Sequence, residues 1–155
     1  MLKPEPIEFL LRAIPEGFLL ILGVYVFSKK QIDRNQYLIS SIVSSVVFFF
    51  IRKLPINNGV NTIIIIIYLI LLSVFYNKID LYRAVRSVIS IFIVQFASEA
   101  INLVGLKLIL NLNLDIIFVD PIMRNIAGIP SVVITAIITY IFYKIFKKKD
   151  GLVSD

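Results

Sequence analysis

The sequence predicts an all-α fold, a polytopic integral membrane helical bundle of about five transmembrane helices with the N-terminus outside and the C-terminus cytoplasmic. Three observations carry that expectation. Of the 155 residues, 59% are hydrophobic and only 17% are charged, whereas soluble chains run at about 45–50% apolar and about 25% charged. The apolar residues gather into five stretches near the roughly 20 residues that a spanning helix needs. Lys and Arg concentrate in alternate connections, as they do in cytoplasmic loops.

The first span, residues 7–27, contains Glu8, Arg12, Pro15 and Glu16. Its leading segment carries Glu5 and Glu8 and no small-x-small cleavage site comes before Lys29, so it does not read as a cleaved signal peptide. It should stay in the membrane, kinked or restarted at Pro15. The second, residues 37–51, is shorter but charge-free, bounded by Asp33 and Arg34 on one side and Arg52 and Lys53 on the other. The third, residues 56–76, is the clearest: it lies within an uncharged stretch and includes an unbroken isoleucine run from Ile63 to Ile67. The fourth, residues 84–110, follows Arg83 and carries Arg86, Glu99 and Lys107. The fifth, residues 130–146, is opened by Pro130 and stopped by Lys144 and Lys147 to Lys149. Between the last two, residues 111–129 are broken by Pro121 and Gly128. They are expected to form an interfacial or re-entrant segment on the outer face, since irregular backbone at membrane depth must be shielded. Residues 1–149 then make a single transmembrane domain and residues 150–155 a short cytoplasmic tail.

Charge sets the orientation. Lys29, Lys30 and Arg34 in the first loop, Lys78, Arg83 and Arg86 around the third, and Lys144 and Lys147 to Lys149 at the end place ten cations on one side. Lys3, Arg12, Arg52, Lys53, Lys107 and Arg124 place six on the other. The richer side is assigned to the cytoplasm. The same reading accounts for the net charge of +6 without a nucleic-acid partner.

The chain has no Cys and no His. Thiol nucleophiles, disulfides, imidazole metal sites and Ser–His relays are therefore excluded. An aspartyl pair would be chemically permitted, but Asp33, Asp80, Asp115 and Asp120 fall in connections or at helix ends. No catalytic residue, metal or cofactor is expected.

Charges within spans are costly, about 2.5–3.5 kcal/mol each on insertion scales, and so point to function. Glu8, Arg12 and Glu16 recur every fourth residue and would stack on one helical face. Either they form an outer polar patch facing a cavity or ligand, or residues 1–14 form an interfacial helix with its charges in the headgroups and Pro15 opens a separate span; the second, plainer reading is favoured. On the fourth span, Arg83, Ser87, Ser90, Gln95, Ser98, Glu99, Asn102 and Gly105 share about half the circumference, opposite Ile89, Phe92, Phe96, Ala100, Leu103 and Val104. The polar side must face other helices or a wet cavity. Glu99 is expected to lie deepest, pairing with Arg12 or Lys107 or held neutral by desolvation. Gln95, Glu99 and Asn102 are read either as a ligand or ion pathway or as interhelical hydrogen bonding, and the serines as the latter. Ser40, Ser41, Ser44 and Ser45, and Ser131, Thr135 and Thr139, are read as small-residue packing ridges. Asp120 and Arg124, in the outer segment, complete the candidate ligand-binding set of Arg12, Glu16, Gln95, Glu99, Asn102, Asp120 and Arg124.

The stretch from Glu8 to Phe18, with Leu54-Pro55-Ile56-Asn57 and Asp120-Pro121, resembles the N-terminal membrane region of accessory-gene-regulator-type bacterial sensor histidine kinases of the GHKL class. The Ile-, Asn- and Lys-rich composition is similar to that of such proteins from low-GC Gram-positive bacteria. The resemblance covers nearly the whole chain and implies a multi-pass protein of the bacterial cytoplasmic membrane. That family places a kinase after its last helix. Here no phosphoacceptor His or ATP-binding glycine box follows, so the expectation is a sensor module standing alone.

The leading functional expectation is a non-enzymatic sensor or accessory protein that binds a signal at the outer face. Besides the lipid bilayer, its partner would be another membrane or cytoplasmic signalling or transport protein, with oligomerisation open. The alternative is a small transporter subunit with a substrate or ion site near Glu99. A structural or immunity-type membrane protein is a third.

Overall fold

A computed structural model describes residues 9–111 and 113–149 of the chain. A π-helical turn, Phe9–Ala13, leads into α1, Ile14–Ser28. Then come α2, Arg34–Lys53; α3, Asn58–Phe75; α4, Leu81–Leu108; the short α5, Leu114–Val119; and α6, Pro121–Lys149. The described residues contain no β-strand element.

Local chemistry explains most of the boundaries. Pro15 sits in the first turn of α1, where its missing N–H costs nothing. The Asp33 carboxylate accepts from the backbone N–H groups of Asn35 and Gln36 at the start of α2. The Asn57 and Asn113 side chains cap α3 and α5 in the same way, satisfying N–H groups that have no partner within the helix. Lys29 ends α1 in the left-handed region, φ 58°, with its N–H returned to Tyr25 and Val26 carbonyls.

The long helices run antiparallel in sequence around α1, which packs against α2, α4 and α6. Leu20, Ile21, Val24 and Tyr25 of α1 sit at the centre of the core with Phe48, Ile65, Leu69, Val88 and Ile91. Two glycines set how closely the neighbours approach. A Cβ added at Gly17 would lie 3.1 Å from the backbone N and Cα of Ser45 on α2, and one at Gly23 would lie 2.4 Å from Ile91 on α4.

The distribution of polarity is that of a protein in lipid. Ser40, Ser41, Ser44, Ser45, Ser87, Ser98, Thr135 and Thr139 are buried, while Ile42, Phe50, Ile63, Ile67, Ile93, Phe96, Val133 and Ile137 are exposed. Water would not tolerate so much contiguous apolar surface on a monomer. Most buried hydroxyls turn back onto their own helix: Ser45 donates to Ser41 O, Ser73 to Leu69 O, Ser98 to Val94 O and Thr135 to Ser131 O. The serines of the fourth span, expected to bond across helices, bond within it, because the carbonyl one turn back is the nearest acceptor.

Four helical stretches are long and apolar enough to cross a membrane: Leu10–Ser28, Arg34–Lys53, Leu81–Leu108 and Ile122–Lys148. The stretch with the cleanest hydropathy forms only the 18-residue α3, shorter than each of these four stretches, because Pro55 and the Asn57 cap delay its start. The expected break before the last span is corrected more sharply. Residues 121–129 are not an irregular segment; they are the first turns of α6, with Pro130 inside the helix. Proline removes the N–H that would bond four residues back and crowds the carbonyls there. Asn102 of α4 donates to Ala127 O at 2.7 Å, and the Ser131 hydroxyl to Gly128 O at 2.7 Å. The carbonyl left without its N–H is that of Ile126; the two that follow it, on Ala127 and Gly128, take these side-chain donors, and the helix continues through the proline. The expected beginning of the first span, Glu8 and the tail at 150–155 lie outside the described residues.

Candidate functional site

The buried charge sits near the start of α1. Glu16 is 7% exposed, on the first turn of that helix. Its Oε2 accepts from Arg52 Nη2 of α2 at 2.5 Å, and its Oε1 accepts from Gln95 Nε2 of α4 at 3.0 Å. Arg12, on the π-helical turn, stands 3.9 Å from the same carboxylate and 3.8 Å from Glu99 Oε1 on α4. A Cβ at Gly128 of α6 would lie 3.9 Å from the Arg12 guanidinium, so the cluster draws on four helices. Two carboxyl groups face two guanidinium groups, which leaves it formally neutral. A carboxylate this buried is tolerable only when paired and fully hydrogen-bonded, and both Glu16 oxygens meet that condition.

Exposure divides the cluster. The Glu16 side chain is 9% exposed, while Arg12 and Glu99 are 34% and 35% exposed. Glu99 is therefore not the deepest charge, as its mid-helix position had led us to expect; Glu16 is. Glu99 pairs with Arg12 rather than Lys107, whose side chain is exposed. Of the plainer reading, Pro15 does stand in the first turn of α1, while Arg12 ahead of it is one-third exposed and paired with Glu16 and Glu99. The polar and apolar sides of α4 otherwise separate as read, with Ser87, Ser98 and Asn102 buried and Ile89, Phe96, Leu103 and Val104 exposed; Phe92 is buried instead.

Arg12, Glu16, Leu19, Gln95, Glu99, Ser131, Val132 and Thr135 line a cavity of about 20 Å³. That is room for about one water molecule and far below the roughly 300–1,000 Å³ of small-molecule sites. Asn102 stands one turn beyond Glu99 and is committed to Ala127 O. Asp120 caps α6, accepting from the Ile122 N–H at 3.0 Å; by helix rise it lies about 12 Å along the axis from Gly128. The structure thus unites Arg12, Glu16, Gln95 and Glu99, holds Asn102 beside them, and gives Asp120 a backbone role; Arg124 lies on the first turn of α6.

Two features escaped the sequence reading. In the sequence Arg52 serves only as a span boundary and in the charge orientation, yet it is the closest partner of Glu16. The second is a buried hydrogen-bond network at the far end of α1, built on the neutral side chains of Tyr25, Ser40 and Asn77. There the Tyr25 hydroxyl donates to Asn77 Oδ1 at 2.9 Å, the Ser40 hydroxyl donates to the same oxygen at 2.8 Å, and the Lys30 ammonium donates to the Asn77 carbonyl. Tyr25 and Asn77 are both 0% exposed and Ser40 is 1% exposed. The only local signal was an asparagine at the end of an otherwise apolar stretch.

No protein-family model matches this chain, and no curated protein and no solved structure matches it either.

Proposed function

We propose that the chain is a non-enzymatic membrane sensor or accessory protein that receives a signal at the outer face and passes it to a partner protein. The observation that carries this reading is the division of the charged cluster into a fixed half and an accessible half. Arg52–Glu16–Gln95 is buried and ties α1 to α2 and α4. Arg12–Glu99 is one-third exposed at a looser 3.8 Å, so a charged or hydrogen-bonding ligand could compete for it. Whatever displaces Arg12 acts directly on the start of α1, the helix that touches most of the bundle. The resemblance to the membrane region of accessory-gene-regulator-type kinases supports the same reading.

In this proposal the chain crosses the bilayer of a bacterial cytoplasmic membrane five times, α3 included. Arg52 near the end of α2 meets the beginning of α1, and Asn77 just after α3 meets its end, so α3 connects opposite ends of the bundle. The ten-to-six distribution of cations puts the Glu16 end outside. Since the chain has no Cys, single cysteines at Lys107 and Lys147 test the orientation directly. A membrane-impermeant thiol reagent on intact cells should label the first and spare the second.

Transport near Glu99 is disfavoured by the small size of the cavity there. Proteoliposomes holding the purified protein should show no Na⁺, K⁺ or proton flux beyond that of empty vesicles. Flux that Glu99→Gln abolishes would replace the sensor reading with the transporter one. In cells, mild solubilisation should recover the chain with a kinase or transporter, and Arg12→Gln or Glu99→Gln should change the output of that partner without changing its recovery.

A further inference from the structure

A second space lies at the other end of the bundle from the charged cluster. A cavity of about 460 Å³ is lined by Lys30, Val74, Lys78, Ile79, Asp80 and Arg83, within the range of sites that hold small molecules. Three of these side chains are cationic and one is a carboxylate. Among the described residues, neither Lys78 nor Arg83 forms an ion pair with Asp80 or with any other acid. Asp80 does not use its side chain to cap α4 either. The cavity therefore carries an uncompensated positive charge, with Val74 and Ile79 supplying an apolar wall.

Its walls are built rather than incidental. Lys30 reaches from the α1–α2 loop to the carbonyls of Asn77 and Lys78. Lys78 holds a left-handed backbone, φ 55°, and the Ile79 N–H returns to Ser73 O at 2.9 Å. The turn between α3 and α4 is thereby fixed around the space. Tyr76 and Tyr82, 38% and 72% exposed, bracket the turn in sequence, as aromatic residues do at the level of lipid headgroups. Arg86, one turn along α4 from Arg83, lies over the Tyr82 ring, and Lys147, near the end of α6, lies over Tyr143; neither lines the cavity.

We infer that this cavity binds the phosphate group of an anionic phospholipid, with Lys78 and Arg83 on the phosphate oxygens and Val74 and Ile79 against the glycerol and first acyl carbons. Basic pockets between helices at a membrane face recognise such headgroups. The inference stands on the membrane location and not on the sensor reading.

The test is native mass spectrometry of the purified protein in neutral detergent, titrated with phosphatidylglycerol, with phosphatidylcholine, and separately with glycerol phosphate and inorganic phosphate. Phosphatidylglycerol should be retained at concentrations where phosphatidylcholine is not. The double variant Lys78→Gln/Arg83→Gln should weaken retention about 30-fold, the loss expected for two cations near an anionic surface. Lys78→Arg/Arg83→Lys should keep it. Arg86→Gln/Lys147→Gln, with the same change in charge outside the cavity, should cost far less. Circular dichroism of each variant confirms that it is folded. Equal retention of both lipids, or equal losses in the two glutamine pairs, would overturn the site. Glycerol phosphate or inorganic phosphate competing as well as the lipid would retain the phosphate chemistry but overturn the lipid as its source.

Discussion

The two ends of α1 solve the problem of polar groups in a membrane differently. At its beginning, Glu16 is neutralised by Arg52 and Arg12 and bonded by Gln95, in a cluster that opens toward the surface through Arg12 and Glu99. At its end, Tyr25, Ser40 and Asn77 form a network that carries no charge among its side chains and is sealed from its surroundings. The sealed network is held by direct hydrogen bonds of 2.8–2.9 Å and fastens α1, α2 and the turn after α3. The charged one contains a buried pair that must not be broken and an accessible pair that can be. Rigidity and responsiveness therefore reside at opposite ends of one helix.

Substitutions test this contrast in order of their expected cost, each read from thermal unfolding in mild detergent. Arg52→Leu should be the most damaging, about 3 kcal/mol, because it removes the nearest partner of a buried carboxylate; the value is at the low end since Arg12 remains. Glu16→Gln in the same chain should recover much of that loss, and if it does not, the damage comes from Arg52 contacts other than the pair. Asn77→Ala should cost about 2 kcal/mol by leaving the Tyr25 and Ser40 hydroxyls buried without their acceptor. Asn102→Ala should cost about 1 kcal/mol, since the hydrogen bond from its side chain to Ala127 O, which joins α4 to α6, is lost. Glu99→Gln should cost less than about 1 kcal/mol, as expected for an ion pair one-third exposed. A Glu99→Gln penalty equal to that of Arg52→Leu would erase the distinction between fixed and accessible halves.

Much of the fold was legible because it rests on local signals. Uncharged runs marked the helices, and the capping side chains of Asp33, Asn57 and Asp120 mark where three of them begin. The site was partly legible: the polar face of α4 placed Gln95 and Glu99 inward, and the four-residue spacing brought Arg12 to Glu16. What could not be read was any feature held by distant residues. Pro130 looked like a helix start because Asn102, which supports the backbone beside it, is 28 positions earlier. Arg52 looked like a boundary marker because Ser45, not Arg52, lies level with Gly17; Arg52 is about two turns further on and meets Glu16 only through the reach of its side chain. Glu99 looked deepest because depth along the sequence is not depth within the bundle.

The two close approaches on α1 also restrict how that helix could move. Gly17 abuts the backbone of α2, and Gly23, six residues later and on another side, abuts α4. Turning α1 about its axis would swing the larger side chains beside each glycine into a neighbour that leaves no room for them. Sliding along the axis keeps both glycines facing their grooves for a short distance. α1 is built like a keyed shaft: a push at Arg12 would travel to Tyr25 as a piston stroke rather than as a twist.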